Sequence, residues 1–268
     1  MGQRRRVPHP TCDGSSTTCA ICTTSTHQEW DVAHAAASLG VVSSSRSVLQ
    51  HTPRDGVRTF TPRWRTSPLT AERMERLLPR HAIPDEGVLD PQAWFGRTAP
   101  VVLEIGSGHG AAAVAYAAGH PDHDLVAVEV HVPGVARMLA AAEPLGLTNL
   151  WVERGDAVPL LTSRVPSGSL AAVHLFFPDP WPKAKHAKRR FVQQHTLTLL
   201  ADRLAPGGVL RIATDHAVYA EHVREQVTAH GGWDMVEGAR PEWRPQDGFE
   251  AKGLAAGRTV AEFSLTPR

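Results

Sequence analysis

From residue 98 onward the chain alternates short apolar runs with segments of helical period, and no other feature restricts its fold so strongly. Strands that are apolar on both faces must be covered on both faces, and strands joined through a helix run parallel. The pattern therefore specifies an α/β protein with a mostly parallel, doubly wound sheet. Strands are expected over 101–105, 124–130, 149–153, 170–177 and 208–213, and helices over 109–119, 133–145, 187–204 and 216–230. The turn at 204–208, Leu-Ala-Pro-Gly-Gly, should stop the fourth of these helices. After 232, two further apolar stretches are expected to close the sheet as a C-terminal antiparallel hairpin.

Ahead of this domain the composition changes twice. Residues 1–53 are dominated by Ser, Thr and small side chains and read as a disordered tail. Cys12, Cys19, Cys22 and His27 hold a single C-x-x-C pair whose spacing matches no common zinc finger, so no metal is expected. Residues 54–97 read as a basic arm and a lead-in helix, and 98–268 as the main domain. In the arm, Arg54, Arg58, Arg63 and Arg65 alternate with Phe60 and Trp64, a pattern that suits a nucleic-acid clamp and equally a solvated lead-in. Ser67 or Thr70 should cap the helix, with Met74, Leu77 and Leu78 facing inward.

The 42% hydrophobic content is that of an ordinary globular protein, and no apolar run approaches the ~18 residues of a membrane helix. The basic opening lacks the apolar stretch of a signal peptide, and Arg6 breaks the myristoylation pattern. All three cysteines precede residue 23, which points to a reducing, cytoplasmic compartment. A monomer and a homodimer are both compatible with the sequence.

The first strand runs into Glu104-Ile105-Gly106-Ser107-Gly108-His109-Gly110. Glycines here let the backbone turn sharply and approach a ligand at a helix N-terminus. The dinucleotide pattern is met only loosely, and Glu104 would repel a pyrophosphate while favouring a cationic sulfonium and ammonium. Glu129 ends the second strand at the distance expected for a carboxylate that grips ribose hydroxyls. Asp156 follows the third and can accept from an adenine amino group. Together these strand ends read as an S-adenosylmethionine site, with helix-cap or loop carboxylates as the bland alternative. His109 and His131 flank the site as surface or capping residues.

The fourth strand runs into Phe176-Phe177-Pro178-Asp179-Pro180-Trp181-Pro182-Lys183. Ligands of a doubly wound sheet lie outside the carboxyl ends of its strands, so Asp179 is aimed at the cofactor's reactive end and three prolines stiffen its loop. Residues 183–190 then hold five basic side chains and no acid, including three of the four lysines in the chain. A charge run is usually a solvated face, but beside a rigid loop at the reaction centre it suits a phosphate backbone.

With these residues in hand, the motifs FPDPWPKAKHAKRR, LEIGSGHG and ATDHAVYAEH resemble the bacterial tRNA (guanine-N7)-methyltransferase family over residues ~55–268. The resemblance implies a Rossmann-like class I methyltransferase domain at 98–268 that methylates N7 of guanine 46 in the tRNA variable loop. It implies cofactor contacts at Glu104, Gly106, Gly108, Glu129, Asp156 and Asp179, with Asp179 also catalytic. It implies substrate contacts at Lys183, Asp215, Asp247, Gly248, Phe249 and Glu250, and RNA contacts at Lys185, His186, Lys188, Arg189 and Arg190. Two departures stand out: Ser107 where the family usually carries Phe, and Asp247-Gly248 in place of Thr and Lys.

Guanine N7 has a free lone pair, so the expected chemistry is positioning of an in-line transfer without a general base. Asp179 could hold the guanine donors or the methionine ammonium, and Glu250 or Asp215 could read guanine N1–H and its amino group. The alternatives are another S-adenosylmethionine-dependent RNA or amino-group methyltransferase, a non-catalytic RNA-binding relative, and a dehydrogenase, which Glu104 disfavours. The formal net charge of +1 conceals a segregation. Residues 1–68 carry eight basic and four acidic side chains and 183–190 five basic ones, which leaves −8 on everything else. Salt-sensitive binding of tRNA is expected.

Overall fold

The computed structural model describes residues 66–246 and 248–268. Cys12, Cys19, Cys22, His27, the arginines and aromatics of the 54–65 arm, Asp247 and the side chain of Phe249 lie outside the described residues. The described chain opens with Ser67, whose hydroxyl accepts from Thr70 N–H at 3.1 Å and caps helix α1 (Pro68–Leu77). Leu77 is buried, with Met74 and Leu78 packed beside it. A short helix α2 (Pro91–Phe95) follows, capped by Asp90 and ended by Gly96.

Five parallel strands come next: β1 (Val101–Ile105), β2 (Asp124–Val128), β3 (Leu150–Glu153), β4 (Leu170–Phe176) and β5 (Leu204–Thr214). They are joined through α3 (Ala111–Gly119), α4 (Val132–Ala142), α5 (Ala157–Ser163) and α6 (Gln194–Arg203). Helix α7 (Ala217–His230), β6 (Trp233–Glu237), α8 (Gly248–Ala255) and β7 (Ala261–Pro267) complete the chain. The seven strands are ordered β3-β2-β1-β4-β5-β7-β6, with β7 antiparallel to both neighbours.

Every residue of β1 and β2 is buried, as a sheet covered on both faces requires. One face carries Leu103, Val173, Leu175, Leu210 and Ile212 against Leu160, Leu197, Tyr219 and Val223. The other carries Val102, Leu125, Ala127 and Val152 against Leu77, Ala113, Val135 and Met138. Burying side chains of this size contributes roughly 1.5–3 kcal/mol each relative to exposure. The strand order reverses between β1 and β4, so their carboxyl ends open the crevice in which doubly wound sheets hold ligands.

Three local expectations change. The helix expected over 187–204 is a 3₁₀ segment, Ala184–Arg189, followed by α6. The break comes from Arg190, whose buried guanidinium is tied to the preceding loop, and from Gln193 and Thr196, which cap α6 reciprocally. The turn at 204–208 is a bulge within β5, because Leu204 already pairs with Leu170 while Val209 pairs with Ala172. The two C-terminal strands pair antiparallel as expected, but β7 inserts between β5 and β6 and α8 lies in the connection.

Candidate functional site

The glycine loop after β1 is shaped by its neighbours. Gly108 sits at φ +57°, and its N–H donates to Glu129 Oε2 at 2.7 Å. Glu129 Oε1 accepts from His131 N–H at 2.7 Å, so one carboxylate at the end of β2 braces both the loop and the start of α4. A Cβ on Gly134 would stand 2.3 Å from Gly108 O, and one on Gly110 would stand 2.1 Å from Met138 Cγ. The loop, α3 and α4 are packed at backbone contact.

A cleft of about 200 Å³ opens above the reversal point. Its walls include Glu104, the backbone of Gly106 and Gly108, Phe176, Phe177 and, from the C-terminal region, Arg244, Gly248, Glu250 and Lys252. Glu104 is 2% exposed and its Oε2 has no hydrogen-bond partner among the described residues. Burial pushes its carboxyl up to about 8, against a smaller opposing pull from Arg244. Beside it on β4, His174 Nδ1 stands 3.7 Å from that oxygen, and burial first, then Arg211, hold this imidazole down at about 3. The ring lies between Trp243 and Phe176, stacked on each at 5.1 Å. A buried carboxyl with an unmet acceptor, in the wall of a cleft, is built to receive a cation or a donor.

The β4 loop is strained where it leaves the sheet. Among the described residues, Phe177 (φ +50°) and Trp181 (φ +40°) are the two non-glycine residues in the left-handed region. Phe177 N–H donates to Ala213 O at 2.8 Å, and Arg190 reaches back to Pro180 O at 3.1 Å and Trp181 O at 3.2 Å. Arg190, expected among the RNA contacts, is itself buried, so within the basic run it holds the loop from inside. Arg189 lies over the Trp181 ring at 4.8 Å, with His186 against the indole edge. Burial and the neighbouring Arg189 and Lys183 lower the His186 pKa. Asp179, Lys183, Lys185 and Lys188 are exposed.

Arg244, 2% exposed, closes the other wall. It bonds Glu250 Oε2 at 2.6 Å and Glu262 Oε1, and its guanidinium lies 4.9 Å over Phe176 and 5.3 Å over Phe177. Burial raises the Glu262 carboxyl to about 7, partly offset by Arg244. Asp215 accepts from Arg258 at 2.9 Å, and Gly253 lets α8 pass where a Cβ would stand 2.5 Å from Asp215 Oδ2.

The cleft thus brings Glu104, Gly106, Gly108, Gly248 and Glu250 into one lining. Glu129 lies behind the glycine loop, and Asp156 is the N-cap of α5, its Oδ1 accepting from Val158 N–H at 2.9 Å. Asp179, Lys183, Asp215 and the basic run lie outside that lining. Arg244 and His174 stand in the site without having been expected there, while Phe176 and Phe177 belong to the stretch expected at the reaction centre. An arginine in a polar loop and a histidine inside an apolar run carry no local signal of their burial. Among the described residues no helix is long and apolar enough to cross a membrane, and no group of His, Cys, Asp and Glu is arranged to hold a metal ion.

A family described as "Putative methyltransferase" matches residues 98–263. A tRNA (guanine-N(7)-)-methyltransferase of Nitrosomonas eutropha is 46% identical over 198 residues, covering 72% of this chain and 88% of that protein. One from Mycolicibacterium paratuberculosis is 47% identical over 65% of this chain and 69% of its own length. One from Nitrosospira multiformis is 41% identical over 80% and 95%. Among solved structures, the 16S rRNA methyltransferase KamB aligns at a TM-score of 0.49 and 16% identity, covering 70% of this chain and 99% of that one.

Proposed function

The chain belongs to the tRNA (guanine-N7)-methyltransferase family, and from that premise we propose that it methylates N7 of guanine 46 in the tRNA variable loop, in the cytoplasm, with residues 98–268 as the catalytic domain. Residues 66–97 pack onto that domain through Leu77 and through Ile83 N–H, which donates to Val152 O. When bound, S-adenosyl-L-methionine would supply an electrophilic methyl that the N7 lone pair takes, with S-adenosylhomocysteine as the leaving thioether.

The residues present fit that cofactor. The observation that carries the reading is the buried Glu104 Oε2, without a hydrogen-bond partner among the described residues and in the wall of a cleft at the sheet's reversal point. Glu104 receives the cationic amino-acid end, Glu129 the ribose hydroxyls and Asp156 the adenine amino group, while Gly106 and Gly108 admit the ligand to backbone distance. Asp179, on its strained and proline-stiffened loop, orients the reacting groups and favours the positive charge that develops on the purine. No general base is needed.

Guanine's donor edge is assigned to Asp215 rather than Glu250. The Glu250 carboxylate, 3% exposed, is engaged by both Arg244 and Arg240, whereas the Asp215 side chain, paired with Arg258, keeps 17% of its surface exposed. Such contacts discriminate bases by about 1–3 kcal/mol each. Lys183, Lys185, His186, Lys188 and Arg189 face the RNA backbone. The 41–47% identity to N7-methyltransferases favours this reaction over amino-group transfer, cofactor-free RNA binding or hydride transfer.

The test is methylation of unmodified tRNA by the full chain with labelled S-adenosylmethionine, followed by borohydride and aniline cleavage. Cleavage at position 46 is expected. Label incorporated without cleavage, or cleavage at another guanine, would overturn the corresponding part of the proposal.

A further inference from the structure

The basic run after β4 accounts for one side of the cleft. On its other side stands Arg137, an exposed residue of α4 whose Nη1 lies 3.1 Å from His109 Nε2. His109 belongs to the cleft wall. Because a guanidinium only donates, the imidazole nitrogen must accept, and this partner leaves the positive charge of Arg137 uncompensated.

Two other helix-surface arginines of this chain carry carboxylate partners. Arg76 on α1 is paired with Glu72 and Glu143, and Arg224 on α7 with Glu221 and Glu237. Around Arg137 the positions one helical turn away are Pro133, Gly134, Ala140 and Ala141, so its own helix offers no carboxylate. Among the described residues no salt bridge reaches it.

The topology places this cation opposite the basic run. Loops follow the sheet order at the carboxyl edge: the turn after β2 into α4, then the glycine loop after β1, then the β4 loop. Arg137 and the 183–189 segment therefore stand on opposite flanks of the cleft. Helix α1 also leads to the Arg137 flank. Its last turn, at Arg76, meets Glu143 just beyond the end of α4, so the two packed helices run in the same direction. The first turn of α1 then lies at the carboxyl edge.

We propose that Arg137, braced by His109 at the mouth of the cleft, is a second phosphate-binding point for the tRNA, so that the RNA backbone is held on both flanks of the site. A guanidinium fork matches a phosphate bidentately, and a braced one loses less side-chain freedom on binding. The proposal rests on tRNA being the substrate.

The experiment uses the full chain and three variants, Arg137→Ala, Arg137→Lys and Lys188→Ala. Binding of fluorescently labelled tRNA is followed from 50 to 200 mM KCl, and S-adenosylmethionine binding by calorimetry. R137A should weaken tRNA binding about three- to tenfold at low salt and reduce the salt slope by about 0.7–0.9, with cofactor affinity unchanged. R137K should keep most of the slope. R137A binding tRNA as the parent does, while K188A is impaired, would overturn the second contact and leave the tRNA reading standing. No effect of either variant would overturn both. A loss of cofactor affinity in R137A would place the residue on the cofactor side and refute the proposal.

Discussion

Replacing Glu104 by Gln tests the cofactor reading directly, because the wild-type carboxyl must change protonation when it receives a cation. With its pKa near 8 in the free protein, Glu104 is mostly protonated at pH 7. His174 on β4, His109 on the glycine loop, and Arg244, Glu250 and Lys252 from the C-terminal region are the titratable and charged groups that share its surroundings or its cleft. An arriving ammonium or sulfonium replaces missing solvation and returns the carboxyl toward its ordinary value of 4.5, so binding expels close to one proton at pH 7. Cofactor affinity should then rise about tenfold per pH unit between pH 6 and pH 8, and level off above. Calorimetry in two buffers of different ionisation enthalpy counts the proton. Glu104→Gln should bind more weakly at pH 8 and lose the pH dependence. A wild-type affinity that is flat from pH 6 to pH 8, with no proton released, would refute both the placement of the cofactor's cationic end and the isolation of this carboxyl.

Four further outcomes are expected. Without cofactor, stability should fall as pH rises from about 5 to 8, because the native state retains the Glu104 proton that the unfolded chain gives up; thermal melts of E104Q should show a smaller fall. Asp179→Ala, at an exposed position, should leave the melting temperature unchanged and lower turnover in the tRNA methylation assay by about a hundredfold or more. Arg190→Met should cost about 1–3 kcal/mol in urea unfolding, since the Pro180 and Trp181 carbonyls lose their donors, while the salt slope of tRNA binding stays as in the parent. Gly110→Ala should destabilise by about 2–4 kcal/mol in the same measurement, combining a left-handed φ of +81° with a Cβ overlapping Met138.

The alternating apolar runs and the glycine loop determined the fold class from the sequence alone, because periodicity and turn chemistry are local properties. The strand at 101–105, the strand expected over 124–130 and found at 124–128, a cap at Ser67 or Thr70 that falls on Ser67, and the inward Leu77 follow from a few neighbouring residues. Glu104, Gly106 and Gly108 were legible as lining for the same reason: they occupy one strand end and the turn after it. What lay beyond local reading depends on partners distant in the chain. Arg190 looks like one more cation in a basic run, and only the folded loop turns it inward to Pro180 and Trp181. Arg244 becomes the second wall of the cleft through Glu250, Glu262 and the rings of Phe176 and Phe177, partners up to 68 positions away in the chain. The uncompensated charge of Arg137 emerges only when helix, loop and sheet order place it against His109. Burial and pairing of charge are set by which elements meet in space, so tertiary structure alone decided which of the chain's arginines build the site and which remain to meet an anion.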